Sequence, residues 1–333
     1  MSSQIKAFFI LVFLGLIAFG AYQWGKSTLV NYEEDMSVNA CPVVMEDIIA
    51  SAQGNVYEMG DEEESEEYVE PETYYLVIYS VNGDELANPQ LSEVPTDLED
   101  EQTNSELQKE AWEIFTTLIP PQDRVMVAQY NVFTDGESNT LAAVDQTSID
   151  LTDWIVEVDI ADLEDKHAFI FTMVHEYAHL LTLNASQSTV DAEIYADPSN
   201  VDLLTSKDSI CPTYFTGGGC SMQNSYIRAF YNRFWVDVAP EWQAIDALQY
   251  EDDLTAYYDG LFNFYLKHQD QFVDDYATTH PAEDIAESFT YFVFSPKPQG
   301  DTIKEQKILF FYAYPELIEL RQYILNGTCS LFD

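Results

Sequence analysis

Residues 169–183, FIFTMVHEYAHLLTL, contain the pattern on which the interpretation of the whole chain depends, an H-E-x-x-H pentapeptide at positions 175–179. Residues four apart lie on one face of an α-helix, so the imidazoles of His175 and His179 can reach a single metal ion. Glu176 stands beside them, where a carboxylate can take a proton from a water that zinc acidifies. The pattern therefore predicts a helix that carries a catalytic zinc site, most often a peptidase site.

The residues on either side of this pentapeptide help to decide between a zinc site and a chance occurrence of the motif on an exposed helix. A five-residue motif also occurs by chance, and histidines on an exposed helix can simply be solvated. Residues 169–174 and 180–183 are mostly apolar, which predicts a buried helix. Because burying two imidazoles and a carboxylate without a partner is costly, the flanks favour the zinc interpretation. Asp162 is the expected N-cap of this helix.

Length and composition predict a globular protein with a large core. The 333 residues suffice for one large or two ordinary domains, and 47% hydrophobic with 14% aromatic residues is ample apolar material. Against 13 lysines and arginines stand 59 aspartates and glutamates, a formal net charge of -46. This charge argues against nucleic acid or an anionic membrane surface as a partner. A salty medium, calcium or cationic substrates would each account for it.

The N-terminal segment predicts export. Residues 7–24 form an uncharged, mostly apolar stretch of 18 residues after a short segment that contains Lys6. This length fits either a signal peptide, with Ala18 and Gly20 as small residues around a cleavage site, or an uncleaved membrane anchor. We therefore assign residues 1–30 to a signal peptide or membrane anchor. The rest of the chain is expected to be extracytoplasmic, either secreted or membrane-anchored.

Four cysteines support the same compartment, namely Cys41, Cys211, Cys220 and Cys329. They lack the spacing of metal ligands, and an even number of cysteines in an exported chain predicts disulfides. The glycine-containing loop between Cys211 and Cys220 favours a local bridge. Cys41 and Cys329 would then join the two ends of the chain.

A run of acidic residues separates the export segment from the body of the protein. Residues 31–72 are polar and acidic, and residues 61–72 read DEEESEEYVEPE. Like charges at this density repel one another, which predicts an extended acidic linker over residues 31–72. The alternatives are an inhibitory segment or a calcium-binding site. We assign residues 73–333 to a single domain.

The body of the chain predicts an α+β fold, with a small N-terminal mixed sheet followed by a helix-rich C-terminal part. β-Branched and aromatic residues predict strands at residues 74–81, 125–133 and 154–160. Apolar residues at helical spacing predict a helix at residues 105–119, which ends at two prolines. Further helical patterns follow Leu183, and they cover residues 227–238, 241–248, 254–267, 282–294, 303–311 and 315–325.

Zinc needs a third protein ligand beyond the two histidines. The metzincin extension requires a glycine and a histidine where this chain has Thr182 and Ala185, so that branch is excluded. Glu283 and Glu287 are four apart and share a helix face, where like charges repel unless one faces a cation and the other an imidazole N–H. Glu283 is therefore a candidate ligand. The alternative is capping, since Pro281 and Glu283 match the N1 and N3 positions of a helix start.

Two motifs and the helical C-terminal part resemble a known family. HEYAH at 175–179 and YATTHPAEDIAESF at 276–289 are similar to the catalytic domain of anthrax lethal factor and related exported bacterial zinc metallopeptidases of the gluzincin branch. The resemblance covers the C-terminal half of the chain. It implies a zincin-like fold, with Glu283 as the third zinc ligand, Glu287 as the acid that orients a zinc histidine, and Tyr276 as a donor to the oxyanion. The alternative for Tyr276 is a core aromatic, in a chain with 22 tyrosines.

One stretch departs from the pattern of that family. The segment between His179 and Glu283 is longer than in lethal factor, and it contains Cys211 and Cys220. The shape of the pocket and the substrate therefore do not transfer from the family to this chain.

These features together predict an exported zinc-dependent metalloendopeptidase that acts on a peptide or protein substrate. One catalytic zinc ion would be held by His175, His179 and Glu283. Glu176 would act as the general base on a zinc-activated water. The substrate would lie extended along an edge strand, for which residues 154–160 are the candidate. The rival interpretations are a catalytically silent acidic surface-binding protein on the same scaffold, and a narrow-specificity processing protease or aminopeptidase.

Overall fold

The computed structural model describes residues 41–54, 72–136, 140–251 and 254–332. Within them the chain forms one five-stranded sheet, followed by a C-terminal part built from helices. The fold class is therefore α+β, as predicted. The export segment predicted at residues 7–24 and the acidic residues 61–71 lie outside the described residues.

Five strands form the sheet, namely β1 (Tyr74–Asn82), β2 (Glu85–Leu91), β3 (Val127–Thr134), β4 (Ala142–Gln146) and β5 (Trp154–Asp159). They lie side by side in the order β2-β1-β3-β5-β4. β3 and β5 pair in parallel, and the other neighbouring pairs are antiparallel. The predicted mixed sheet is thus present, and β1, β3 and β5 correspond to the three predicted strands.

The position of β5 corrects one prediction. β5 pairs with β3 on one side and with β4 on the other, so residues 154–160 do not form an edge strand. The edge is β4, which pairs only with β5 among the described residues. A peptide that extends the sheet at this edge would therefore pair with Ala142–Gln146.

Helices make up most of the remaining described chain. They are α1 Pro42–Gly54, α2 Glu99–Thr103, α3 Ser105–Leu118, α4 Lys166–Leu183, α5 Ala192–Ala196, α6 Val201–Ile210, α7 Tyr226–Phe234, α8 Ala239–Asp246, α9 Thr255–Lys267, α10 Pro281–Phe294, α11 Ile303–Phe311 and α12 Pro315–Ser330. Every helix predicted after Leu183 is present. The one predicted over residues 227–238 ends earlier, at Phe234, because the chain turns there into α8, whose first turn contains Pro240.

Helix α4, which carries the H-E-x-x-H pattern, lies in the core. Residues 168–180 are buried apart from Thr172, which has intermediate exposure. The helix can be buried on nearly every face because apolar side chains occur all round it, with His175, Glu176 and His179 as buried polar exceptions. It packs against α10, α1 and β4. The prediction of a buried helix is confirmed.

Helix α1 falls inside the segment predicted to be an acidic linker, residues 31–72. Its sequence PVVMEDIIASAQG is richer in apolar residues than the acidic run that follows. Ile48 is fully buried, and α1 packs against α4 and α10. The linker prediction therefore does not describe residues 42–54, where apolar side chains give the helix a face to bury.

The predicted local disulfide is present. Cys211 and Cys220 form a disulfide, with their Cα atoms 5.8 Å apart. Cys41 and Cys329 are disulfide-bonded as well. Two disulfides are compatible with an oxidising compartment outside the cytoplasm. Among the described helices, none has the length and the apolar character needed to cross a membrane.

Candidate metal centre

The N-terminus of α4 determines where the two motif histidines lie. Asp165 is the N-cap, and its carboxylate accepts hydrogen bonds from the backbone N–H groups of His167 and Ala168 at 3.0 and 3.1 Å. The predicted cap, Asp162, lies instead inside the preceding 3-10 turn Ala161–Glu164. A residue already within a helical turn cannot cap the helix that follows. The helix therefore begins later than predicted.

Helix α4 brings its two motif histidines to one point. The ring centroids of His175 and His179 are 4.8 Å apart, and their Nε2 atoms are 3.0 Å apart. The two residues are only 5% and 9% exposed. The four-residue spacing therefore produces the geometry that the sequence predicts.

The N-terminus of α10 brings a third group to the same point. His280 is the N-cap of this helix, and its Nδ1 accepts a hydrogen bond from the backbone N–H of Ala282 at 3.1 Å. Glu283 Oε2 lies 3.1 Å from His175 Nε2 and 3.2 Å from His179 Nε2. Because His280 caps the helix, Glu283 is free to face the histidines.

Three atoms with lone pairs converge where α4 and α10 meet. His175 Nε2, His179 Nε2 and Glu283 Oε2 are separated by 3.0, 3.1 and 3.2 Å. Such atoms repel one another unless a cation or shared protons lie among them. Ligand atoms of a tetrahedral zinc, bound at about 2.0–2.1 Å, stand about 3.3–3.4 Å apart. The three donors and their spacing therefore fit one zinc ion.

Glu176 offers an alternative third ligand. One ligand atom of each of His175, Glu176 and His179 lies within 4.8 Å of the others. Glu283 is the better ligand, because its oxygen contacts both imidazole nitrogens at 3.1 and 3.2 Å. Glu176 is then available as a base.

Glu287 lies at the Nδ1 side of the His175 ring, and Asp274 lies beside Glu287. Glu287 Oε1 lies 2.7 Å from His175 Nδ1, although the ring N–H is not aligned for an ideal hydrogen bond. This contact places the proton of a neutral His175 on Nδ1 and leaves Nε2 free to bind a cation. Burial, followed by the charge of the neighbouring Glu287, raises the pKa of Asp274 well above its ordinary value. No pattern in the sequence points to Asp274, because only tertiary packing brings it beside Glu287.

The pKa shifts of His175, His179 and Glu283 indicate that the point where they converge favours positive charge. Burial alone would lower the pKa of His175, but Glu287 and Glu283 raise it well above its ordinary value. Burial also lowers the pKa of His179, and Glu283 outweighs that effect, so the net change is an increase. Burial opposes the ionisation of Glu283, yet the two histidines lower its pKa well below the ordinary value. The centre therefore stabilises a cation, whether protons or a metal ion.

Glu176 has the surroundings of a proton-transfer group. It is only 8% exposed and lies next to His175 on α4. Burial raises the pKa of Glu176, and the two histidines lower it, which leaves a net increase. A carboxylate with a raised pKa holds a proton more readily, which suits a group that takes a proton and later returns it.

Tyr276 lies beside the same centre. It occupies the 3-10 turn Tyr276–Thr278 before α10, and its ring centroid is 5.8 Å from that of His175. The residue is 43% exposed, so it is not a core aromatic. Burial, followed by the charges of Glu283 and Glu176, raises the pKa of Tyr276 well above its ordinary value. Tyr276 is therefore a neutral O–H donor.

A cleft of about 770 Å³ opens beside the centre. Tyr276, His280 and Glu283 line it, together with residues of α6, α8 and the disulfide-closed loop. Burial lowers the pKa of His280 to about 4, so this imidazole is neutral at physiological pH. No motif marks the lining residues of α6, α8 and the disulfide-closed loop, because they come from separate parts of the chain.

Six residues predicted for the site surround one point, namely His175, Glu176, His179, Tyr276, Glu283 and Glu287. They come from α4, from α10 and from the turn before α10. Comparison of the chain with family models, with curated proteins and with solved structures finds no match.

Proposed function

We propose that this protein is an exported zinc-dependent metalloendopeptidase with a zincin-like fold. The observation that carries the proposal is the convergence of His175 Nε2, His179 Nε2 and Glu283 Oε2, which lie 3.0 to 3.2 Å apart. Glu176 and Tyr276 stand beside that point. A purely structural zinc site has no need of either residue.

Each side chain of the centre has a distinct role in the proposed reaction. A zinc ion on the two histidines and Glu283 would supply Lewis-acid chemistry, which polarises a carbonyl and acidifies a water. Glu176 takes the proton of the attacking water and later gives it to the leaving amine. Tyr276 donates its O–H to the oxyanion that develops on the scissile carbonyl. Glu287 holds the His175 ring in the orientation and tautomer that leave Nε2 free.

The exposed edge of the sheet supports an extended substrate. β4 pairs only with β5 among the described residues, and α4 packs against β4. A peptide can add to such an edge through backbone hydrogen bonds that do not depend on its termini. This arrangement favours an endopeptidase over an aminopeptidase.

The proposed location rests on two features. Residues 7–24 have the length and apolar character of an export signal or anchor. The disulfide between Cys211 and Cys220, and the disulfide-bonded Cys41 and Cys329, belong to an oxidising compartment.

The variant Glu176→Gln tests the proposal. Glutamine keeps the size of the side chain but cannot take a proton. The rate at which zinc-loaded protein cleaves a generic peptide library should therefore fall about 10²–10⁴-fold. Metal analysis should show that stoichiometric zinc is retained. A chelator should abolish cleavage by the native protein, and added zinc should restore it.

Glu113→Gln, on the exposed face of α3, is the matched control and should cleave like the native protein. An active Glu176→Gln variant would refute the assigned base. Stoichiometric zinc without cleavage of any peptide by the native protein would instead favour the surface-binding alternative.

A further inference from the structure

The cleft beside the metal centre has walls of a distinct chemical character. It shares Glu283 and Tyr276 with that centre. Six further lining residues are aromatic: Tyr214, Phe215, Tyr231, Trp242, Tyr250 and Tyr257. Among the described residues, no lysine or arginine lines the cleft. All lining residues other than Tyr276, Thr279, His280 and Glu283 lie within residues 201–257, in the segment whose length departs from the lethal factor pattern.

Tyr214, which lines the cleft, has a buried hydroxyl with no hydrogen-bond partner among the described residues. The residue is 9% exposed, and its ring stacks on Tyr231 with the centroids 4.2 Å apart. Burial, followed by nearby groups that include Asp208 and Asp246, raises its pKa well above the ordinary value. Buried hydroxyls are normally paired. The Tyr214 oxygen therefore points to an occupant of the cleft that can form a hydrogen bond with it.

Two carboxylates line the same cleft without a cation. They are Asp208 of α6 and Asp246 of α8, and neither forms an ion pair within the described part of the chain. Gln249 Nε2 donates to Asp246 Oδ1 at 2.8 Å. Burial raises the pKa of Asp246 to about 6, so this group is ionised at neutral pH although it is partly desolvated. A cationic occupant would offset that unfavourable burial.

We propose that this cleft binds the side chain of a lysine or arginine of the peptide substrate and so directs cleavage to sites near a basic residue. The inference rests on the proposed function, because the shared walls Glu283 and Tyr276 place the occupant beside the scissile bond. The cation faces Asp208 and Asp246, and a rotation of the Tyr214 side chain brings its oxygen within reach of the N–H groups of the cation. Its methylene stem packs on the aromatic rings, which also attract the charge.

Other side chains fit these walls less well. An acidic side chain would meet Asp208 and Asp246, and their like charges would repel it. An apolar side chain would cover the two aspartates without giving them a partner, which is costly. A basic side chain avoids both penalties.

Cleavage of matched peptides tests the inference. The peptides differ at one position at a time on either side of the scissile bond, where they have lysine, arginine, glutamate or the neutral lysine analogue norleucine. At one of these positions, kcat/KM for lysine or arginine should exceed that for norleucine by about tenfold or more. The glutamate peptide should be the poorest substrate.

Asp246→Asn should reduce the ratio of lysine to norleucine kcat/KM by about tenfold. Asp259→Asn, on the exposed face of α9, makes the same change in net charge outside the cleft and should keep the native ratio. Thermal unfolding and zinc content show whether Asp246→Asn is folded and loaded. Asp208→Asn provides a second variant, with a smaller expected effect because Asp208 is exposed.

The outcomes separate this inference from the peptidase proposal. Equal cleavage of lysine and norleucine peptides would overturn the inference and leave the peptidase proposal intact. If the native protein cleaves no peptide, the peptidase proposal fails, and the inference is then tested by measuring the affinity of the protein for the same peptides. Zinc-loaded Glu176→Gln protein should then bind the lysine peptide about tenfold more tightly than the norleucine peptide. Equal Kd values would overturn the inference.

Discussion

At the scale of single residues, Glu287 shows how the candidate metal centre is supported by a residue that contacts one of its histidines. Its carboxylate is 5% exposed and lies 2.7 Å from His175 Nδ1. On the other edge of the same ring, His175 Nε2 faces Glu283. An acid in this position fixes the ring, keeps a proton on Nδ1 and makes Nε2 a stronger ligand. Glu287 would therefore act on a bound metal ion through His175.

We predict that Glu287→Gln weakens zinc binding about 10–100-fold. Glutamine fills nearly the same volume, but it has no charge to hold the proton on His175 Nδ1. Competition with a chromophoric chelator at neutral pH measures the affinity. Glu319→Gln, on the exposed face of α12, makes the same change in net charge and should bind zinc like the native protein. If the two variants bind zinc equally well, the ring does not depend on Glu287.

Local spacing explains which site residues the sequence can predict. His175 and His179 are four apart on one helix, and Glu283 and Glu287 are four apart on another, so each pair is fixed by helix geometry alone. Tyr276 follows from the family resemblance. By contrast, Tyr214 reaches the cleft only through tertiary packing, which no pattern within one segment reveals.

At the scale of secondary-structure elements, a buried ion pair anchors α10, the helix of the two site glutamates. Asp284 Oδ2 lies 2.6 Å from Lys307 Nζ of α11, and both residues are 0% exposed. Trp235 Nε1 donates to the same carboxylate oxygen at 2.7 Å. Burial raises the pKa of Asp284 and lowers that of Lys307. The ion pair between them shifts each pKa in the opposite direction, but by less than burial does. Removing either Asp284 or Lys307 therefore leaves the other as a buried charge without its partner, which lowers the free energy of unfolding.

We predict that Lys307→Met destabilises the protein by about 3–5 kcal/mol, because Asp284 is left buried without its cation. Denaturant-induced unfolding measures the change. The double variant Lys307→Met/Asp284→Asn should lose less, since no charge then remains in the core. Lys109→Met, on the exposed face of α3, should unfold like the native protein. A Lys307→Met protein of native stability would show that the Asp284 carboxylate does not need its cation.

The two edge strands are the elements of the sheet that the sequence does not predict. β2 reads ELANPQL, with Asn88 at a positive φ of 52° beside Pro89, and an edge strand tolerates such residues because one side needs no partner. β4 is short, with Val144 as its one β-branched residue. Each forms because it pairs with a neighbouring strand whose sequence has a higher β-propensity, β2 with β1 and β4 with β5. The alternation in residues 154–160 predicts one half-exposed face, which an edge strand and an internal strand can both have, and only the complete sheet shows that β5 is internal.

At the scale of the whole molecule, negative charge is the dominant property. The chain has 59 acidic and 13 basic residues, which gives the net charge of -46. Several of its few basic residues are already paired with acids: Arg124 with Asp84, Lys207 with Asp191, and Lys267 with Glu241. Most carboxylates therefore have no cationic partner, and their mutual repulsion opposes the compact state.

We predict that monovalent salt stabilises the protein between about 0.01 and about 0.15 M, because the Debye length falls from about 30 to about 8 Å and repulsion between surface carboxylates is screened. The Tm of the zinc-saturated, disulfide-intact protein should rise by at least about 2 °C, the shift that about 1 kcal/mol produces in a large domain. Sodium and potassium chloride should act alike, and sorbitol at equal osmolality should raise Tm less. A Tm that stays flat or falls with salt would mean that ion pairs within the fold outweigh the repulsion.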